Sequence, residues 1–254
     1  MSKFTFSIVS HGHGQLLTQL LADLATQQSL SDSIVIITLN IENDFFELPQ
    51  RSELRFRIKK NSYPKGFGAN HNQAFLECDT DWFIILNPDL KIPNKDTFCT
   101  MTNFASQLKH PAIIAPLIVD HEGQREDSIR SNLTPFSLLH RHIFGQKKCA
   151  ELNMVTSESR SFFWIAGMCM LFDHKVYKKL RGFDEKFFLY CEDYDICARA
   201  YNSGIAVAID TNSSVIHNAR RSSRHSLRYF ILHITALFKV WTSKAFWTIV
   251  LGKF

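Results

Sequence analysis

Two acidic clusters carry the chemistry this chain offers. Asn87-Pro88-Asp89 closes the apolar run Trp82-Phe83-Ile84-Ile85-Leu86, and Glu192-Asp193-Tyr194-Asp195 opens a helical stretch soon after Gly182-Phe183-Asp184-Glu185. A carboxylate delivered at the end of a buried strand is a hard oxygen ligand, the kind that holds Mg²⁺ or Mn²⁺ together with phosphate oxygens. Carboxylates crowded at a helix start repel one another, which can raise the pKa of one of them and suit it to act as a general base near neutral pH. Together the clusters describe a site that holds a metal-bound phosphate on one side and takes a proton on the other.

Each cluster also has a plainer reading. Asn, Pro and Asp are favoured turn residues, so Asn87-Pro88-Asp89 can be a simple turn. Acidic residues in the first turn of a helix are stabilised by its macrodipole without any function. Asp195 and Arg199 stand four apart and can pair on one helix face, which gives Asp195 a structural role and leaves Asp193 free. Pro88 lacks a backbone donor and restricts Asn87 to extended geometry, so ladder pairing is expected to end there and Asp89 to turn outward.

The elements that must position these groups follow from apolar patterning. A strand is expected near 4–10, a helix near 15–27 with Leu16, Leu17, Leu20, Leu21 and Leu24 inward, and strands near 33–39 and 54–60. A Gly-rich loop at 62–69, a helix near 70–78, the strand ending at Asn87, a helix over 94–109 and a strand over 113–119 complete the first half. Gly66 and Gly68 would let backbone approach a ligand closely, although Pro64-Lys65-Gly66 is also turn sequence. Residues 137–161, with Gln146-Lys147-Lys148, read as an irregular, mobile loop on the acceptor side. The alternation of strands and helices argues for an α/β fold with a mixed, mostly parallel sheet flanked by helices, whose ligands bind at the carboxyl edge.

Taken in order, Asn61 to Asn72, Leu86-Asn87-Pro88-Asp89, Ser128-Ile129-Arg130, Ala166 to Leu171, Gly182-Phe183-Asp184-Glu185 through Asp195-Ile196-Cys197, and His217 resemble the signature of family 2 glycosyltransferases. The resemblance spans roughly residues 4–218 and is strongest to the bacterial rhamnosyltransferase-like branch. It implies a GT-A-type nucleotide-diphosphosugar transferase fold and an inverting enzyme. That enzyme would move a sugar, with rhamnose one candidate, from a nucleoside-diphosphate donor to a hydroxyl of a bacterial surface glycan such as O-antigen or capsule. By resemblance, Asp89 binds the divalent cation, Mg or Mn, that bridges the donor diphosphate, and Asn87 neighbours the donor sugar or ribose. His217 would complete the metal or diphosphate site. Asp193 would deprotonate the acceptor hydroxyl, with Glu192 orienting the acceptor beside Gly167. Ser10, Asn40, Gly66 and Asn70 would complete the donor side.

Two departures from that pattern stand out. The strand Ser33 to Ile37 normally leads to an Asp-Asn pair that contacts the nucleotide, whereas here Leu39-Asn40 follows. The Leu39 side chain cannot accept a hydrogen bond from a base, so that contact is absent or passes to Glu42 or Asp44. Ser10-His11-Gly12-His13-Gly14 is equally unlike the usual first loop, and is read as a backbone contact to nucleotide or a plain loop. These changes leave room for an alternative, a catalytically silent glycan-binding or scaffold member of the same fold. A metal-dependent hydrolase of nucleotide sugars would use the same metal ligand.

The chain has 254 residues, enough for one sizeable α/β domain that needs no disulfide staples. Its six cysteines include no Cys-x-x-Cys pair and no signal peptide is read, so reduced thiols in a cytoplasmic protein are expected. No Walker loop or dinucleotide fingerprint is present. Residues 1–218 are expected to form the catalytic domain and 219–254 a basic, aromatic helical tail, running from Arg220-Arg221-Ser222-Ser223-Arg224-His225 into Leu227 to Leu251. No window there is long and charge-free enough to span a bilayer. Arginines beside Phe230, Phe238, Trp241, Phe246 and Trp247 suit an interfacial helix at the inner face of the plasma membrane, where each basic residue contributes about 1 kcal/mol. Packing on the catalytic domain or a homodimer contact are the other uses of such a segment. The net charge of +5 fits anionic lipid and phosphorylated substrates alike. No nucleic-acid-binding fold signature accompanies the arginines, so nucleic acid is not an expected partner. The expected partners are a nucleotide-sugar donor and a lipid-linked glycan acceptor.

Overall fold

The computed structural model describes residues 3–28, 30–108, 111–144, 162–217 and 227–252. Its strands are β1 (Phe4–Ser10), β2 (Ile34–Leu39), β3 (Arg55–Lys60), β4 (Trp82–Leu86), β5 (Leu90–Lys91), β6 (Ala112–Val119), β7 (Ile129–Ser131), β8 (Phe163–Ile165), β9 (Cys169–Asp173) and β10 (Ala206–His217). Its helices are α1 (Gly14–Ala25), α2 (Phe67–Phe75), α3 (Thr97–Gln107), α4 (Pro135–Phe144), α5 (His174–Leu180), α6 (Glu192–Asn202), α7 (Leu227–Trp241) and α8 (Lys244–Val250).

One eight-stranded sheet runs in the order β3-β2-β1-β4-β9-β6-β10-β5, and β7 pairs with β8 in a separate ribbon. Pairing is parallel from β3 through β4 and between β6 and β10. β9 runs antiparallel between β4 and β6, and the short β5 runs antiparallel along β10. The sheet is thus mixed and mostly parallel, as expected. The interior strands β2 and β4 place apolar residues on both faces, each face covered by helices. Along β4, Phe83 and Ile85 point into one core while Ile84 and Leu86 point into the other, the period-two alternation of a strand. α1, through Leu17, Leu20, Leu21 and Leu24, and α3, through Phe98 and Met101, cover the second core. α5, α6, α7 and α8 contribute to the first. The outer strand β3 carries Arg55, Arg57, Lys59 and Lys60, charges that discourage edge pairing with another chain.

Several boundaries differ from the sequence expectation, each for a local reason. α2 begins at Phe67, inside the stretch read as a Gly-rich loop. Gly68 belongs to the helix because Phe183 packs there, and a Cβ on Gly68 would stand 2.5 Å from the Cβ of Phe183. Residues 135–144, whose latter part was expected to be irregular, form α4. Its start has Pro at the first helical position, where no donor is needed, and Thr134 Oγ1 accepting from Ser137 N at 3.1 Å. The rest of the expected loop, with Gln146-Lys147-Lys148, lies outside the described residues.

The tail is two helices. Ser243 interrupts it and caps α8 by accepting a hydrogen bond from Phe246 N at 3.2 Å. Ala236, Leu237, Val240 and Phe246 are buried in the first core, and Trp241 Nε1 donates to Leu133 O at 2.8 Å. Leu227, Phe230, Ile231, Ile234, Phe238 and Trp247 remain exposed on the outer side. The basic cluster Arg220 to His225 lies outside the described residues. No helix among the described residues is long and apolar enough to cross a membrane.

Candidate active site

β4 ends at Leu86, and Asn87 N donates to Met168 O at 2.8 Å, which ties the Asn-Pro-Asp turn to the approach of β9. Asp89 then precedes β5, whose register sets Leu90 opposite His217 on β10. Two residues far apart in sequence therefore meet: His217 Nε2 lies 3.3 Å from Asp89 Oδ2. The other ring nitrogen, Nδ1, lies 2.7 Å from Glu126 Oε2. Burial alone would lower the His217 pKa, but hydrogen bonds and charge from Asp89 and Glu126 outweigh it and hold the imidazole above its ordinary value. β10 reaches this point through a bulge between Asp210 and Ser214, where the buried Asp210 carboxylate accepts from Ser213 Oγ at 2.7 Å and Asn212 N at 3.0 Å.

Asn87, Asp89, Asn40 and Asn70 line one cavity of about 350 Å³, together with His11, His13 and Arg228. The two buried asparagines hold the cavity wall. Asn40 Oδ1 accepts from Lys65 N and Asn61 Nδ2, both at 2.8 Å, and Asn70 Nδ2 donates to Gly66 O at 3.0 Å. Ser10 and Gly66, expected on the donor side, are not among the lining residues of this cavity. The buried Ser10 hydroxyl accepts from His13 N at 3.3 Å. The close approach that Gly66 permits is to the chain itself, since a Cβ there would meet Phe188 O at 2.8 Å. Of the two acids that could stand in for the hydrogen-bond acceptor Leu39 does not offer, Asp44 is buried and accepts from Gly12 N at 2.9 Å, which commits it to shaping the first loop.

The second acidic cluster sits where the backbone is forced. Tyr190 and Cys191 have φ of 74° and 64°, left-handed values that cost non-glycine residues about 1–3 kcal/mol each and concentrate at functional sites. That turn starts α6 at Glu192. Asp193 Oδ2 accepts from Gly167 N at 3.1 Å, and Oδ1 from Tyr194 N at 2.8 Å. Burial raises the Asp193 pKa, opposed by the charge of Arg130 and by those backbone donors. Burial and the neighbouring Asp193 charge raise the Glu192 pKa, and Glu192 Oε2 is buried with no hydrogen-bond partner among the described residues. Both carboxyls line a cavity of about 590 Å³ with Arg130, Trp164, Tyr190 and His233. Arg130 lies over the Trp164 ring, 5.0 Å from its centroid.

Gly167 packs close to both Phe67 and Asp193. A Cβ there would meet Phe67, which lines the Asp89 cavity, at 3.4 Å and the Asp193 Cβ at 3.6 Å. Asp195 has the structural role expected of it, pairing with Arg199 Nε at 2.7 Å. Arg199 in turn donates from NH2 to Gly182 O at 2.8 Å. Asn72 on α2 accepts from Phe183 N and Tyr177 OH, both at 2.9 Å, so Gly182-Phe183-Asp184-Glu185 acts as a clamp between helices. Glu126, Trp164 and Arg228 were not singled out as site residues from the sequence. Glu126 stands in a polar turn, Trp164 in a short apolar strand, and Arg228 among the charges of the tail; nothing local marks any of them.

Asp89 has the features a divalent cation needs. Its Oδ1 is buried without a partner, and its Oδ2 has only the His217 contact among the described residues. Among those residues no group of three or more His, Cys, Asp and Glu could hold a metal ion by itself.

Comparison with known proteins agrees with this geometry. The family described as Glycosyltransferase like family 2 matches residues 2–230. Rhamnosyltransferase WbbL of Escherichia coli K12 is 26% identical over 245 residues, covering 91% of this chain and 90% of that protein. N-acetylglucosaminyl-diphospho-decaprenol L-rhamnosyltransferase of Mycobacterium tuberculosis is 23% identical over 253 residues, covering 89% and 79%. Among solved structures, mannosyltransferase PcManGT of Pyrobaculum calidifontis, in complex with GDP-Man and Mn²⁺, superimposes with a TM-score of 0.65 at 12% identity, over 98% of this chain and 68% of that one. The fold is therefore of the GT-A type, and the chain belongs to glycosyltransferase-like family 2, as a glycosyltransferase similar to bacterial rhamnosyltransferases.

Proposed function

We propose that this enzyme transfers a sugar, with rhamnose the first candidate, from a nucleoside-diphosphate donor to a hydroxyl of a lipid-linked bacterial surface glycan, with inversion at the anomeric carbon. The observation that supports this reading is the hydrogen bond from Gly167 N to Asp193 Oδ2, with Phe67 of the Asp89 cavity wall close to the same glycine. The donor belongs in the first cavity and the acceptor in the second. Asp193, its pKa raised by burial, takes the proton from the acceptor hydroxyl as oxygen attacks the anomeric carbon and the diphosphate leaves. General base assistance of this kind contributes roughly a hundred- to ten-thousandfold. A single displacement needs no protein nucleophile.

Asp89 and His217 would hold a divalent cation, whose chemistry is to neutralise charge on the departing diphosphate. Glu126 orients His217 from the far side of the ring. Glu192 and Trp164 line the acceptor side, where an aromatic face can carry a sugar ring. The WbbL and mycobacterial relatives support rhamnose, and the mycobacterial name supports a polyprenyl-diphosphate acceptor. The exposed apolar residues of α7 and α8 suit a peripheral seat on the membrane that carries such an acceptor.

The test is transfer from dTDP-rhamnose, and from UDP- and GDP-sugars in parallel, to a lipid-linked N-acetylglucosamine acceptor, with the anomeric configuration read by NMR. Acceptor-dependent product of inverted configuration is expected. Free sugar released equally with or without acceptor would establish a hydrolase, and glycan binding without turnover a silent member.

A further inference from the structure

α7 forms part of both cavities. Its inner face runs from Tyr229 and Leu232, which line the Asp89 cavity, through His233, which lines the Asp193 cavity, to the buried Ala236, Leu237 and Val240. These positions recur at helical spacing and anchor α7 on the catalytic core, so its first turn is held over the donor side. Arg228 stands in that turn and lines the Asp89 cavity with Asn87 and Asp89. The other long cation of that wall, Lys65, is committed, its Nζ donating to Gln73 Oε1 at 2.9 Å. Among the described residues, no hydrogen bond or ion pair engages Arg228. Its guanidinium is near enough to His11 to act on the imidazole, adding to burial and to His13 in lowering that pKa. A guanidinium left without a partner among those residues, at a small cavity lined also by Asn40, Asn70 and Asn87, is the arrangement that grips phosphate, because its planar donors match phosphate oxygens two at a time.

We propose that Arg228 is a diphosphate-binding residue of the donor site, supplied by the first turn of α7, so that the C-terminal helix is part of the transferase machinery and not only a membrane or packing element. The assignment rests on the donor-site reading above. The helix then contacts the phosphates through Arg228, while Tyr229 and Leu232 close the apolar side of the same cavity.

Calorimetric titration of UDP, dTDP and GDP, and of the corresponding monophosphates, in the presence of Mn²⁺ tests it on the full chain and on Arg228→Gln and Arg228→Lys. With the nucleotide that the wild type binds, Arg228→Gln is expected to weaken diphosphate affinity about tenfold and to change monophosphate affinity by less than about twofold, with Arg228→Lys in between. Arg228 is exposed, so both variants should keep the wild-type unfolding temperature. Equal affinities in wild type and variants, or an equal loss for mono- and diphosphate, would overturn the assignment. Binding to anionic vesicles is measured alongside, because lipid headgroups offer the same phosphate chemistry. Loss of vesicle binding with nucleotide affinity intact would give Arg228 to the lipid surface and overturn the proposal. A wild type that binds none of the diphosphates would defeat the donor-site reading itself, a different result from a wild type that binds and variants that match it.

Discussion

Asp193 Oδ2 accepts a hydrogen bond from Gly167 N at 3.1 Å, and this contact fixes one oxygen of a carboxylate that lines the cavity shared with Glu192 and Arg130. Burial raises its pKa while the Arg130 charge and the backbone donors pull the other way. The ionised form is the base, so kcat/KM should fall as pH drops through the raised value, with an acid limb above the ordinary carboxylate range. Arg130→Gln removes a lowering influence and should move that limb to still higher pH. A pH–rate profile of both proteins checks the order; an acid limb near pH 4 in the wild type would contradict it.

His217 meets Asp89 through Nε2 and Glu126 through Nδ1. Glu126→Gln leaves Asp89 and His217 in place but loosens the hold on the ring. Mn²⁺-dependent nucleotide binding should weaken by about 10–100-fold, the usual cost of losing a partner behind a metal-binding histidine. Calorimetry at varied Mn²⁺ measures this, and an unchanged Mn²⁺ dependence would remove Glu126 from the site.

Arg199 joins α6 to the Gly182 turn, and its partner Asp195 is buried. Arg199→Met strands that carboxylate and leaves the carbonyls of Leu180 and Gly182 without their donor. A loss of about 3–5 kcal/mol in stability is expected, read by denaturant unfolding, with the expressed protein still folded at low temperature.

Phe230 and Ile234 lie on the outer side of α7 and are exposed, whereas Ala236, Leu237 and Val240 are buried. Phe230→Glu with Ile234→Glu should reduce co-sedimentation with anionic vesicles while leaving thermal stability nearly unchanged. Undiminished sedimentation would leave the outer face without a membrane role.

β1, β2, β4 and β6 were legible in the sequence because buried strands are apolar-rich runs, and they fall within a residue of where patterning places them, as does the edge strand β3, where Phe56 and Ile58 alternate with charges. The placement of Asp89 just past the end of a strand and of Asp193 at the start of a helix was legible from local patterning. What local reading could not supply was pairing across the sheet. The meeting of His217 with Asp89 depends on the β5–β10 register, and the role of Glu126 on a loop brought in from elsewhere in the chain. The surroundings of Gly66 and Gly68 were unreadable for a related reason: Phe188 and Phe183, distant in sequence, occupy the space that a side chain would need. Thr134 and Pro135 did signal the start of α4, but the polar stretch that follows masked it.

The most direct test is Asp193→Asn, which keeps one oxygen able to accept from Gly167 N, gives up the acceptor facing Tyr194 N, and removes the base. Transfer to acceptor and donor affinity are measured on the same preparation. The expected result is turnover lower by roughly a hundred- to ten-thousandfold with nucleotide affinity unchanged. Turnover that survives within about tenfold would mean that another group takes the proton, and would contradict the assignment of Asp193 as base.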